Sequence, residues 1–311
     1  MREGILSAHS TDTLKRFYVV ARSSEPGVVG AGNLGRIGRG WKLAKMSLRV
    51  IRKDKEILIF PLLSGLFTLV ILASFFVGAF FTWGFDGLTS SANQWVFYAF
   101  FAVFYFVTFF ISTFFNAAVI GCATIRLNGG DPTVADGFRI AGQNIKQIVL
   151  WAIFAATVGL ILRAIQERVG FIGKLLVGAL GAAFTIATYF VIPVFIYEKL
   201  GPWASLKRSV SILKNTWGEA LVGNLGLGAI FFLLGLAGLI PIIIGVLIMT
   251  VWSIVIGFVI AIVYWLVLGL IASAAQSVLV AALYRYATTG KVSEEFEGLS
   301  FQNPWAVPKR I

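Results

Sequence analysis

Between Glu219 and Arg285 the chain reads ALVGNLGLGAIFFLLGLAGLIPIIIGVLIMTVWSIVIGFVIAIVYWLVLGLIASAAQSVLVAALY, Ala220 to Tyr284, without one charged residue or histidine. A bilayer core about 30 Å thick is crossed by roughly 20 helical residues. The stretch is therefore too long for one crossing, and its flanks decide how many it holds. Residues 198–219 and 285–311 each carry four Lys or Arg, so they belong on the same side of a membrane and the stretch crosses twice. The turn is expected between Leu239 and Trp252, where Pro241 and Gly245 interrupt a helix-compatible run.

Outward from this pair, four more charge-free runs follow the same rule: Ile57 to Phe81, Trp95 to Cys122, Ile148 to Leu162, and Leu175 to Tyr197 with Pro193 near its end. The third is short, but Lys146 and Arg163 can snorkel from its ends. Six crossings result. Of the 26 basic residues, 23 then fall on the side of the two termini and 3 on the other. The positive-inside rule predicts a multi-pass plasma-membrane protein with both termini cytoplasmic. Trp83, Trp95, Trp151, Trp203, Trp217 and Trp252 fall near span ends, as interfacial belts require.

The whole composition agrees: 58% of the 311 residues are hydrophobic and 13% charged, against about a quarter charged in soluble domains. With one His (His9), one Cys (Cys122) and fourteen Asp plus Glu, a zinc site, a disulfide framework or a Ser-His-Asp arrangement is nearly excluded. No catalytic, cofactor or metal residue is expected. The net charge of +12 follows the topology rather than one concentrated patch, which argues for an anionic inner leaflet as partner and against nucleic acid. Each Lys or Arg near such a surface is worth about 1 kcal/mol. The first forty residues contain no apolar signal-peptide core, so the first span is expected to act as an uncleaved insertion signal.

Three segments before successive pairs of spans match one another. Trp41 to Ile51 aligns without gaps to Phe138 to Ile148, and Trp203 to Lys214 is a looser copy that keeps the leading aromatic and a small polar residue six positions later. In the first copy Leu43, Leu48 and Ile51 fall broadly on one helical face with cations on others. The expected fold is all-α: six transmembrane helices as three hairpins, each preceded by a basic amphipathic helix at the membrane surface. The cations of these segments, Lys42, Lys45, Arg49, Arg139, Lys146, Lys207, Arg208 and Lys214, are the candidate contacts for lipid or a protein partner. Before the second copy, Asp131 is expected to cap and Pro132 to start the helix, and Gly201-Pro202 does similar work before the third.

Polar side chains inside the spans form a second candidate set, because each needs a partner where water is absent. These are Thr113 and Asn116 in the second span, Asn224 in the fifth, and Ser273, Gln276 and Ser277 in the sixth. Bridging of helices or a small polar cavity would satisfy them. The nine Phe between Trp95 and Phe115 wrap most of their helix and point in part to lipid. The string Gly30-Ala31-Gly32-Asn33-Leu34-Gly35 matches a dinucleotide-binding turn only in letters: Pro26 shortens any preceding strand and no βαβ unit follows. It reads as part of a flexible extension, residues 1–35, before a membrane domain over 36–290 and a cytoplasmic tail over 291–311.

The runs Gly40 to Lys45 and Asp54 to Gly65, the motif Phe115-Asn116-Ala117-Ala118, the stretch Tyr197 to Pro202 leading to Lys207-Arg208-Ser209, and the ending Ala282 to Ala287 together resemble an uncharacterised six-span family of prokaryotic membrane proteins. That family is similar in layout to the membrane domain fused to some glycerophosphodiester phosphodiesterases. The resemblance spans residues 36–290 and implies a fold and topology, with no catalytic residue to carry over. Three functions compete: a non-enzymatic structural, scaffold or accessory protein contacting anionic lipid or a partner at the cytoplasmic face; a transporter or channel for a small or lipid-like solute; and a lipid-modifying enzyme using Glu198, Asp131 or Asp136, which nothing in the sequence pairs. The first is expected.

Overall fold

The computed structural model describes residues 36–89 and 94–290; the extension over 1–35 with its glycine string, and the tail over 291–311, lie outside the described residues. The described chain is helical throughout. In order come α1 (Arg36–Lys53), a 3-10 turn (Lys55–Leu58), α2 (Ile59–Thr89), α3 (Gln94–Leu127), α4 (Val134–Gln143), α5 (Ile145–Arg168), α6 (Phe171–Ala187), α7 (Val191–Glu198), α8 (Pro202–Ala237), α9 (Ile240–Leu247) and α10 (Val251–Thr289). Six stretches are long and apolar enough to cross a membrane: Lys55–Phe81, Tyr98–Leu127, Ile145–Arg168, Phe171–Glu198, Asn224–Leu247 and Val251–Thr289.

Packing is concentrated at one end. The buried side chains run over Phe115–Leu127 of α3, Phe190–Ile196 across the start of α7, and Ala274–Tyr284 of α10. These three helices touch one another, with α2 and α5 against α3 and α8 against α7 and α10. Toward the opposite end side chains are exposed, as at Phe81, Phe171 and Trp252. In a bilayer that exposure is to lipid, so it carries no hydrophobic penalty.

The spans break where their sequences dictate. Pro193 has no N–H to continue the fourth span's ladder, and the chain tightens at Thr188–Phe190, where Tyr189 N–H bonds to Ile186 C=O and Val191 N–H to Thr188 C=O. That leaves the Ala187 carbonyl and the Phe190 N–H without helical partners. Ser209 of α8 supplies both: its hydroxyl donates to Ala187 C=O at 2.7 Å and accepts from Phe190 N–H at 2.9 Å. In the fifth span Gly238 N–H shifts to Gly235 C=O. The freed Leu234 carbonyl accepts from Tyr264 OH (2.7 Å), and Gly235 C=O also accepts from Trp265 Nε1 (2.9 Å). The reversal between the last two spans falls at Ile248–Thr250, inside the expected interval, with Met249 left-handed at φ 58°. α9 then lies so close to α10 that a Cβ at Gly257 would stand 2.5 Å from the Pro241 carbonyl oxygen.

Several expectations change. α1 packs on α8 and α10, burying Met46, Ser47, Val50 and Ile51, so its apolar face is turned into protein rather than headgroups; Leu48 is half-buried and the Leu43 side chain lies outside the described residues. The reason is competition: buried Ser47 and Val50 fit a tight helix contact as well as a lipid boundary would. The third basic segment is not a separate helix but the first part of α8, bent at Thr216 (φ −121°, ψ 17°). Thr133, not Asp131, caps α4, in a capping box with Asp136. Gly201 and Pro202 open α8 as expected. Trp151 is buried and stacks on Phe184 at 6.4 Å rather than standing in a belt, whereas Trp203 and Trp252 are exposed; the side chains of Trp83, Trp95 and Trp217 lie outside the described residues.

Candidate functional site: a charged end and a polar notch

Charged groups collect where Lys55, Leu127, Glu198 and Thr289 end or begin the spans. Asp54, buried at the start of the first span, receives both Nε and Nη2 of Arg126 from the end of α3, and Arg126 also reaches the exposed Asp131. Fork-to-carboxylate pairing of this kind fixes direction as well as charge. Glu56 accepts from Val134 N–H at 3.1 Å, and Arg285 of α10 donates to Leu127 C=O. On the far side of the core, Glu198 accepts from Arg208 Nε through both oxygens at 3.0 Å and from Tyr284 OH at 3.1 Å. Lys199 Nζ donates to Asn144 Oδ1 at 2.6 Å. The start of the first span, α3, α4, α7, α8 and α10 are thereby tied to one another.

The Asp136 carboxyl is held below the usual range, first by the Thr133 hydroxyl and N–H that donate to it and then by Arg139.

Of the cations expected to contact lipid or a partner, Arg139 is committed to Asp136 and Arg208 to Glu198. Lys207 lies over the Trp203 ring at 5.5 Å. Lys45, Arg49, Lys146 and Lys214 are exposed and make no ion pair among the described residues; the Lys42 side chain lies outside them. Lys45 and Arg49 share a face of α1 with exposed Arg52, spaced four and three residues apart, opposite the buried face. α1 contains no acidic residue. Asp54, Arg126 and Arg285 were not singled out in the sequence, although an acid opening one span and an arginine closing the next lie at matching depth.

Inside the spans the structure pairs residues that the sequence could only name. Ser277 donates to Asn116 Oδ1 at 2.8 Å, joining the second and sixth spans; Gln276 donates to Asn224 Oδ1, joining the sixth and fifth. The buried Tyr189 hydroxyl lies beside Asn224 without completing a hydrogen bond. Thr113 is buried and belongs to neither pair. Asn116, Ser273 and Ser277 line a half-open notch of about 50 Å³ together with Ser64, Ser112, Pro61, Phe115 and Val119. Ser64 and Ser112 had no signal beyond being hydroxyls in apolar runs. Glu198, Asp131 and Asp136 occupy three different contacts and do not converge. Among the described residues no three His, Cys, Asp or Glu side chains come together as a metal site needs.

Six apolar helices tied at a charged end define a polytopic α-helical membrane protein. The chain belongs to a family of unknown function (DUF6159), whose model matches residues 93–294. The match takes in the second to sixth spans and leaves out α1 and the first span. No curated protein and no solved structure matches the chain.

Proposed function

We propose that this is a non-enzymatic plasma-membrane protein, a structural, scaffold or accessory component, whose charged end faces the cytoplasm and holds anionic lipid headgroups or an acidic partner surface. The observation that carries the reading is the stripe of Lys45, Arg49 and Arg52 on the outer face of α1, backed by a face already buried against α8 and α10. A helix braced in this way presents its cations without paying again for ordering, and each is worth about 1 kcal/mol near an anionic surface. Lys146, Lys207 and Lys214 add to the same end. Ser47, Asn144 and Ser209, the small polar residue at one position of all three basic segments, are all buried, which supports treating those segments as a repeat. On this reading the layout shared with the membrane domain of some glycerophosphodiester phosphodiesterases is that of a lipid-contacting module.

The test is native mass spectrometry of protein released from nanodiscs of phosphatidylglycerol and phosphatidylcholine. Retained phosphatidylglycerol should fall in K45Q/R49Q/R52Q; an unchanged count rejects the lipid contact. The alternative, a transporter or channel for a small or lipid-like solute, draws only on the notch. Against it, Ala117, Ala118, Val194 and Leu279 fill the space between the inner spans.

A further inference from the structure

The notch lies within the apolar part of the spans. Asn116 is separated from Arg126 by ten residues of helix, about 15 Å of rise. No bulk water is available there to satisfy polar groups. The inner wall is fixed: the single hydroxyl proton of buried Ser277 is shared between Asn116 Oδ1 at 2.8 Å and Ser273 C=O at 3.0 Å. With its oxygen engaged, the Asn116 amide keeps its nitrogen as a donor, which bonds to none of the described residues. The hydroxyls of Ser64, Ser112 and Ser273 likewise make no bond to them. Polar groups held open at this depth call for an oxygen-bearing occupant, since each left unsatisfied costs several kcal/mol in hydrocarbon.

Three properties narrow the occupant. No charged side chain lines the notch, so a phosphate would be buried unpaired and is disfavoured. Ser112 and Ser273 at its rim are exposed on span surfaces, so entry is sideways from the bilayer. The space, about 50 Å³, admits roughly three or four water-sized groups, which suits a hydroxyl and a neighbouring ester. We propose that the notch binds the free hydroxyl and adjoining ester of a neutral glycerolipid of the diacylglycerol class, with Asn116 donating to the ester carbonyl and the serine hydroxyls meeting the lipid hydroxyl. The site stands independently of the cationic stripe on α1.

The experiment uses the full chain in nanodiscs with a photoactivatable diacylglycerol. Crosslinking should saturate at one lipid per chain and be competed by unlabelled diacylglycerol. Triacylglycerol, which lacks the hydroxyl, and phosphatidylglycerol, which carries charge, should compete at least tenfold less well. Asn116→Leu should weaken capture about tenfold; Ser112→Leu, at an exposed rim where folding is not at stake, should do the same by blocking entry. K45Q/R49Q/R52Q should leave capture unchanged, which separates this site from the anionic contact. Equal competition by triacylglycerol, or full capture in both notch variants, overturns the proposal and leaves the notch to ordered water.

Discussion

Replacing Ser209 with alanine removes both bonds that close the break in the fourth span. The hydroxyl is fully buried, so no solvent takes its place, and two backbone groups, Ala187 C=O and Phe190 N–H, lose their partners together. Interhelical hydrogen bonds in membrane proteins average about 0.6 kcal/mol because the displaced groups find other partners. A buried group left unsatisfied costs about 1 to 3 kcal/mol. The second figure governs here, because neighbouring N–H groups are already spent on Ile186 and Thr188. The expected loss for Ser209→Ala is about 2 to 3 kcal/mol, read from SDS-driven unfolding in mixed micelles. Ser209→Thr, which keeps the hydroxyl, should recover part of it. Ser74→Ala, which removes a bond from an exposed hydroxyl to its own helix at Val70 C=O, should change stability by no more than about 0.5 kcal/mol. A Ser209→Ala protein as stable as Ser74→Ala would show that the break is held by packing alone.

Other perturbations separate the remaining contacts. Asp54→Ala strands Arg126 with only the exposed Asp131, and unfolding in the same micelles should show a loss of about 3 kcal/mol, the lower end for breaking a buried pair. Gly257→Ala drives a methyl into the Pro241 carbonyl, whereas Gly178→Ala meets nothing within 4 Å; the first should lower stability by about 1 to 3 kcal/mol and the second leave it level or slightly raised, by thermal melting. Asp136 titrates lower in the folded protein than unfolded, so its stabilisation is fully present above the unfolded value and disappears as pH falls through the folded one. Acid titration of stability should therefore be flatter in Asp136→Asn than in the parent.

The six spans were legible because the bilayer sets a length and charges mark its edges: Glu219 and Arg285 bound a run that nothing else in protein chemistry explains. Pro193 and Pro241 lie beside the breaks in their spans, and the last turn falls within the interval Leu239 to Trp252 marked out around Pro241 and Gly245, although beyond both of them. What the sequence withheld was rotation about each helix axis. Asn116 could be named as a polar residue needing a partner, but that the partner is Ser277 depends on how α3 and α10 turn toward each other. The same gap hid Ser209, whose role follows from a break in another span, and the Asp54–Arg126 pair, whose members lie 72 positions apart. For α1 the amphipathic pattern was visible but its target was not, since lipid headgroups and a neighbouring helix select similar faces. Trp151 failed as a belt residue for a related reason: the third span begins at Ile145, the start of α5, which places that ring inside the packed end.

The anionic-lipid contact rests on the charged end facing the cytoplasm, and sidedness can be read directly. In a Cys122→Ala background, single cysteines at Lys146, at Lys207 and at Met249 are exposed in the structure and available to a membrane-impermeant maleimide. In intact bacterial cells Met249→Cys alone should be labelled, with Lys146→Cys and Lys207→Cys labelled only after the cells are opened. Labelling of Lys146→Cys and Lys207→Cys in intact cells, with Met249→Cys protected, would contradict that sidedness.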